Sequence, residues 1–456
     1  MQWFKYSLIA ASVCCASLVA AAEPQVYTLK NGLKLVVKPD HRAPVAIAQI
    51  WYKAGSADEQ GGTTGLAHMT EHMMFKGTPN HPTGDLSKII ADNGGQENAF
   101  TDDDFTVYFQ KLASDRIEVA FKLESDRMRN LILKDDEFKK ELEVVKEERR
   151  MRMDDSPEYL TYERLRAAAF LSHPYHHMTI GWMSDLNQLS VNDVKQWYQT
   201  WYAPNNATLV IVGDVDPEAM HQLAERYFGS IKSSLLPVRK ENAEPPPVGQ
   251  RELVTRIPAQ VSALFMAYNV PSRLTDASWK PYALTVLAGI LSAGDSSRLH
   301  QDLVQKQGIA SNGNVDYQTY ARYSTLFLLQ ATPAEGKSLE VLQAALLQQI
   351  KNLQTTTVSP DELARVKTQI IAKRVFSKDS QSGQAMEIGA LETIGLGWQE
   401  GDKFIANVKA ITPEQLKQVA VEFLQPDRLT IARLEAQPMT GAPKPTPTTT
   451  GGDAHA

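Results

Sequence analysis

Gly65-Leu66-Ala67-His68-Met69-Thr70-Glu71-His72-Met73-Met74-Phe75 packs two imidazoles and a carboxylate into five residues of an otherwise apolar run. On a helix, His68 and His72 stand at i and i+4 on one face, with Glu71 beside them. Two neutral imidazoles suit zinc. A carboxylate next to an open coordination position can take a proton from a water whose pKa the metal has lowered to roughly 7. A His-x-x-x-His pair alone is more often two hydrogen-bonded side chains than a metal site. Glu71 and the flanking Leu66, Met69, Met73, Met74 and Phe75 shift that balance, because desolvating such a cluster is costly unless something compensates.

Outward from this helix, the preceding chain alternates from Gln25, turns at Asn31-Gly32, continues through Leu33 to Val37, and alternates again from Val45 to Tyr52. Asn-Gly between such runs predicts a hairpin. Downstream, Leu86 to Asp92 is helical in period, Asn98 to Phe109 reads as a β-like run, and Asp115–Leu131 and Asp135–Met153 read as long helices. Val191 to Tyr202 precedes Ala203-Pro204, and Ala207 to Val212 reads as a buried strand. Beyond a Pro-rich linker at 237–250 the order begins again. Val261 to Tyr268 corresponds to Val45 to Tyr52, and Gln425-Pro426 to Ile431 echoes Ala203-Pro204 to Leu209, at offsets of 216 and 222 residues. The fold class expected is therefore α+β, with two tandem homologous α/β-sandwich domains at 23–236 and 251–436. The second copy of the helix, Pro281 to Leu291, carries no His or Glu, so only the first half can hold the metal.

The 456 residues are 43% apolar and 22% charged, with a net charge of −6. That balance argues against a nucleic-acid or anionic-membrane binder, and no nucleic-acid partner is expected. Residues 1–22 read as a signal peptide ending at Ala20-Ala21-Ala22, which predicts an exported, periplasmic protein with no membrane span after cleavage. Both cysteines, Cys14 and Cys15, lie in that segment, so the mature chain needs no disulfides. The Pro-, Thr- and Gly-rich stretch 437–456 reads as a disordered tail.

Two histidines require another protein ligand, and the helix from Asp135 offers Glu141, Glu143, Glu147 and Glu148; Glu141 and Glu148 lie two turns apart on one face. His68-x-x-Glu71-His72, the inverzincin order, followed 76 residues after His72 by Glu148, resembles the pitrilysin/insulysin/mitochondrial processing peptidase family. Asn98-Ala99-Phe100-Thr101, His173-Pro174-Tyr175, Ile180-Gly181, Tyr202-Ala203-Pro204-Asn205-Asn206 and Ser296-Ser297-Arg298-Leu299 agree with it. The resemblance is to the short, two-domain branch. It implies one zinc per chain on His68, His72 and Glu148, Glu71 as general base, and Glu141 as a carboxylate supporting the metal helix. It also implies peptide substrates added as a strand along Asn98, Ala99 and Phe100. His173-Pro174-Tyr175-His176-His177 is expected to be structural.

One departure matters. Family members that act alone supply an Arg and a Tyr from the second half to hold the substrate carbonyl, and here Val304 and Ser311 occupy those places. Arg322 and Tyr323, in what reads as the following strand, are poor substitutes. The chain is therefore expected to be the zinc-bearing endopeptidase subunit of a heterodimer whose homologous partner supplies the pair, a homodimer being the lesser expectation. The competing expectation is a non-catalytic peptide-binding or structural subunit of an envelope assembly.

Overall fold

Val45-Ala-Ile-Ala-Gln-Ile-Trp-Tyr52 forms an inner strand of a six-stranded sheet in the computed structural model, which describes residues 23–240 and 244–439. The expected signal peptide and all but the first three residues of the expected tail lie outside the described residues, as do three residues of the linker. The first half contains β1 (Gln25–Thr28), β2 (Lys34–Pro39), β3 (Val45–Tyr52), β4 (Gln96–Thr101), β5 (Thr106–Ala113) and β6 (Ala207–Gly213). Its helices are α1 (Leu66–Met73), α2 (Asp85–Asp92), α3 (Glu118–Asn130), α4 (Asp135–Arg149), α5 (Pro157–Ala169), α6 (Met183–Leu186), α7 (Val191–Trp201) and α8 (Pro217–Phe228). The second half contains β7 (Arg251–Pro258), β8 (Ala263–Val270), β9 (Ala310–Tyr317), β10 (Thr325–Pro333) and β11 (Leu429–Gln437). With them come α9 (Lys280–Ser292), α10 (Leu339–Thr355), α11 (Pro360–Asp379), α12 (Gln381–Ile394), α13 (Gln399–Ala410) and α14 (Pro413–Phe423).

The sheets repeat one topology. The first runs β1-β2-β6-β3-β5-β4 and the second β7-β11-β8-β10-β9. Each has one parallel pair, β2 with β6 and β7 with β11, and antiparallel neighbours beyond it. The strand expected at Val261 begins at Ala263 instead, and the run expected from Asn98 to Phe109 is two antiparallel strands. They are separated by an aspartate-rich turn in which Asp102 N–H donates to Phe105 O at 2.8 Å. The helix expected to reach Met153 is regular only to Arg149 and widens into a π-type turn at Arg150–Asp154. There the Arg149 side chain turns inward onto buried Glu163, at 2.8 and 3.0 Å.

Successive residues of a strand face opposite sides. Ala46, Ala48, Ile50 and Tyr52 join a core with residues of α1, α3, α7 and α8, while Ile47 and Trp51 join Val36, Val107, Val210 and Val212 on the other face. That second face is covered by Ala385, Ile388 and Ile394, on α12 from the second half of the chain. The exchange is reciprocal. Leu165 and Ala169 on α5, from the first half, cover Ala263, Phe265, Ala267 and Leu434 of the second sheet. Leu264, Met266 and Tyr268 meanwhile face the second half's own helices. Each half thus lends one helix to the other, and the inner strands β3, β6 and β8 are buried on both faces. Among the described residues no helix is long and apolar enough to cross a membrane.

Candidate active site

Gly65 opens α1 in the left-handed region, φ 88°, with no side chain to cap the helix. Its α-carbon lies so near the Ile180–Gly181 segment that a Cβ would sit 2.6 Å from Ile180 O. A Cβ on Gly181, φ 78°, would likewise sit 2.3 Å from Thr64 O. Both conditions call for glycine. The approach seats the first turn of α1 on the 173–189 segment, where Asp185 of α6 accepts from Thr64 Oγ1 at 2.7 Å and from the Gly62 and Thr64 N–H groups at 3.2 Å.

From this start the eight-residue helix delivers His68 and His72 to one face with ring centroids 4.7 Å apart. Glu148, near the end of α4, reaches the same point: its Oε2 lies 3.3 Å from His72 Nε2 and 3.8 Å from His68 Nε2. Two nitrogens and an oxygen therefore converge, all within 4.8 Å of one another. Tetrahedral zinc with ligand bonds near 2.0–2.1 Å holds its ligand atoms about 3.3 Å apart, so this donor set fits that ion. Burial, and then the neighbouring His72, push His68 down to about 4, leaving it in the neutral form that ligates. For His72, burial acts downward but is outweighed by hydrogen bonds to Glu141 and Glu148, which raise it to about 9. Glu141 Oε1 lies 2.9 Å from His72 Nδ1, and its Oε2 lies 2.5 Å from Lys76 Nζ. It thereby fixes the ring with Nε2 toward Glu148.

Glu71 points from the same helix toward the sheet, where its Oε2 accepts from Thr101 Oγ1 at 2.6 Å. Burial pushes its carboxyl upward, against the Thr101 hydrogen bond. Thr101 ends β4, which among the described residues pairs only with β5 and so leaves an open edge beside the cluster. Asn98, Ala99 and Phe100 on that edge line a cleft of about 450 Å³ with His68, Glu71 and His72. Every site residue expected from the sequence is thus gathered at one place.

Thr101, which the sequence marks as part of the Asn98–Thr101 segment but gives no role, and Arg152, which no motif or spacing marks, also line the cleft. Arg152 Nη1 lies 2.7 Å from Glu148 Oε1, the oxygen turned away from the histidines. Arg322 and Tyr323 lie elsewhere, in the loop before β10 and not in a strand. Arg322 is held by Asp58 at 2.9 and 3.1 Å and by Asp104 at 3.3 Å, across the seam between the halves, and Tyr323 packs against His173 and Tyr175. Val304 lies in the helical segment Leu299–Lys306 and Ser311 on β9.

Family models match two stretches: "Insulinase (Peptidase family M16)" over residues 34–181 and "Peptidase M16 inactive domain" over residues 188–370. The zinc protease PqqE of Helicobacter pylori is 32% identical over 387 residues, covering 82% of this chain and 86% of that protein. The chain belongs to peptidase family M16. Among solved M16-like structures, a protease from Helicobacter pylori superposes with a TM-score of 0.86 at 30% identity, over 91% of this chain and 99% of that one. The first half of the periplasmic protease PqqL from Escherichia coli gives 0.75 at 18% identity, over 91% and 93%, a likeness of fold alone. The boundary between the two M16 models falls after Gly181, so the first carries the His, Glu and Glu148 positions and the second includes α9, which has none.

Proposed function

We propose that this chain is an exported zinc endopeptidase that hydrolyses peptides or unfolded segments, and that it is the metal-bearing subunit of a heterodimer with a closed chamber. The observation that carries the reading is the convergence of His68 Nε2, His72 Nε2 and Glu148 Oε2, with Glu71 alongside and an open strand edge at the same cleft. Zinc bound there supplies Lewis acidity, lowering the pKa of a water to roughly 7 and polarising a peptide carbonyl. Glu71, oriented by Thr101, takes the proton from the attacking water and delivers it to the leaving amine. Asn98, Ala99 and Phe100 offer main-chain groups to a substrate strand, which accepts many sequences and leaves selectivity to side-chain pockets and chamber size.

Export is supported by the apolar stretch within residues 1–22 and the Ala20-Ala21-Ala22 that ends it. A homologous partner is supported by Val304 and Ser311, neither of which can donate to an oxyanion from a cationic or phenolic group, and by the engagement of Arg322 with Asp58 and Asp104. The same gap favours the second reading, a subunit that binds peptides without cutting them.

The deciding experiment digests a mixed peptide library with the purified chain, with and without chelator and with and without the homologue that co-purifies from its native compartment. We expect zinc-dependent cleavage that rises sharply with the homologue. Glu71→Gln should keep the zinc while losing roughly 10²–10⁴-fold in kcat. Peptides retained uncut by the zinc-loaded pair would establish the binding role instead, and full activity of the isolated chain would remove the partner.

A further inference from the structure

Glu59 lies outside the cleft, yet its side chain is fully buried and aimed at the metal helix. Its Oε1 accepts from Ala67 N–H at 2.7 Å and its Oε2 from Gly65 N–H at 2.9 Å. These are donors at the start of α1, which its glycine cap leaves without a side-chain partner. His177 Nε2 lies 3.0 Å from the same Oε2, and the His177 side chain is only 2% exposed. A buried carboxylate is costly, and two N–H groups, an imidazole and the positive end of a helix dipole together offset that cost.

The placement has a mechanical reading. α1 has only two turns, and Ala67 precedes the first metal ligand. Small rotations of its first turn therefore move His68 directly. His177 belongs to the segment that also presents Gly181 O to Arg149 Nη1, at 2.5 Å, and Arg149 follows Glu148 in the chain. One loop thus holds the beginning of the helix with the two histidines and the end of the helix with the glutamate.

Resting on the function proposed above, we propose that Glu59, clasped by His177, is a positioning residue that sets α1 relative to α4, so that the three ligand atoms converge before the ion arrives. Pre-set ligands bind metal tightly because little ordering remains to be done. Glu59→Gln keeps the shape but turns an amide N–H₂ toward a backbone N–H, and His177→Leu removes the clasp. His177→Gln keeps a donor near the Nε2 position.

The test measures zinc affinity of the mature chain by competition with a chromophoric chelator, thermal unfolding of each metal-free variant, and kcat and KM on one cleaved peptide in the presence of the co-purifying homologue. Glu59→Gln and His177→Leu should weaken zinc by roughly 10- to 100-fold and lower kcat with little change in KM. His177→Gln should recover most of both. Wild-type affinity and kcat in Glu59→Gln and His177→Leu would overturn the inference. So would His177→Gln being as impaired as His177→Leu in step with lost thermal stability, which marks a packing role only. Should Glu59→Gln fail to fold, the comparison of the two His177 variants decides alone. A wild-type chain that binds no zinc at all would sink the functional reading itself, and this inference with it.

Discussion

Glu141 serves two side chains at once, His72 Nδ1 and Lys76 Nζ, and through the first it decides which ring nitrogen faces Glu148. An amide at this position can still accept from one of them, but it loses the charge that both favour. Glu141→Gln should therefore leave the fold intact and weaken zinc by roughly 10- to 100-fold, read by competition with a chelator; unchanged affinity would make Glu141 a surface anchor for Lys76. Glu71 contrasts with it. Its partner is a neutral hydroxyl, and burial raises its carboxyl, so the residue that would move protons is the one kept clear of neighbouring lysines and arginines among its hydrogen-bond partners.

At the scale of elements, α12 illustrates both a vulnerability and a gap in what sequence reveals. Gly389 lies against Trp51, where an added Cβ would fall 2.0 Å from ring atom Cε2 and 2.1 Å from Nε1. Trp51 is fully buried and donates to Gln49 Oε1 at 3.0 Å, so it cannot step aside. Gly389→Ala should cost about 1–3 kcal/mol or more, visible as a lower urea midpoint; an unchanged midpoint would mean that α12 docks less tightly than the structure has it. The metal helix, the paired strands and the repeat were legible because each has a periodicity or spacing of its own: His68 and His72 at i,i+4, the Asn31-Gly32 turn, the echo of Ala203-Pro204 in Gln425-Pro426. Helices α5 and α12 carry no such mark. Their buried positions include Glu163, Arg166, Gln384 and Glu392, each satisfied by a partner outside its own helix, so no clean apolar stripe shows. Glu59 was illegible for the same reason, since its partners Gly65, Ala67 and His177 meet it only in the folded chain.

For the whole molecule, the division at the linker does not separate two independent bodies. The outer face of each sheet is closed by a helix from the other half, and the seam is crossed by Arg322, which grips Asp58 and Asp104. A protease site engineered at 241–243 and cut should leave the two pieces together on gel filtration, whereas either piece expressed alone should aggregate through its uncovered sheet. Separation into two folded monomers would refute that interdependence. The half that carries His68, His72 and Glu148 is thus held in shape by the half that carries none of the candidate ligands.

The reciprocal helices also set a clock. In the order of synthesis the first sheet is complete at Gly213, but the helix that closes its outer face ends at Ile394. At ~5–20 residues per second that delay is roughly 10 to 40 seconds. Until then Trp51, Val107, Val210 and Val212 form an apolar face that its covering helix has yet to reach. It can finish folding only after nearly all of it has been made.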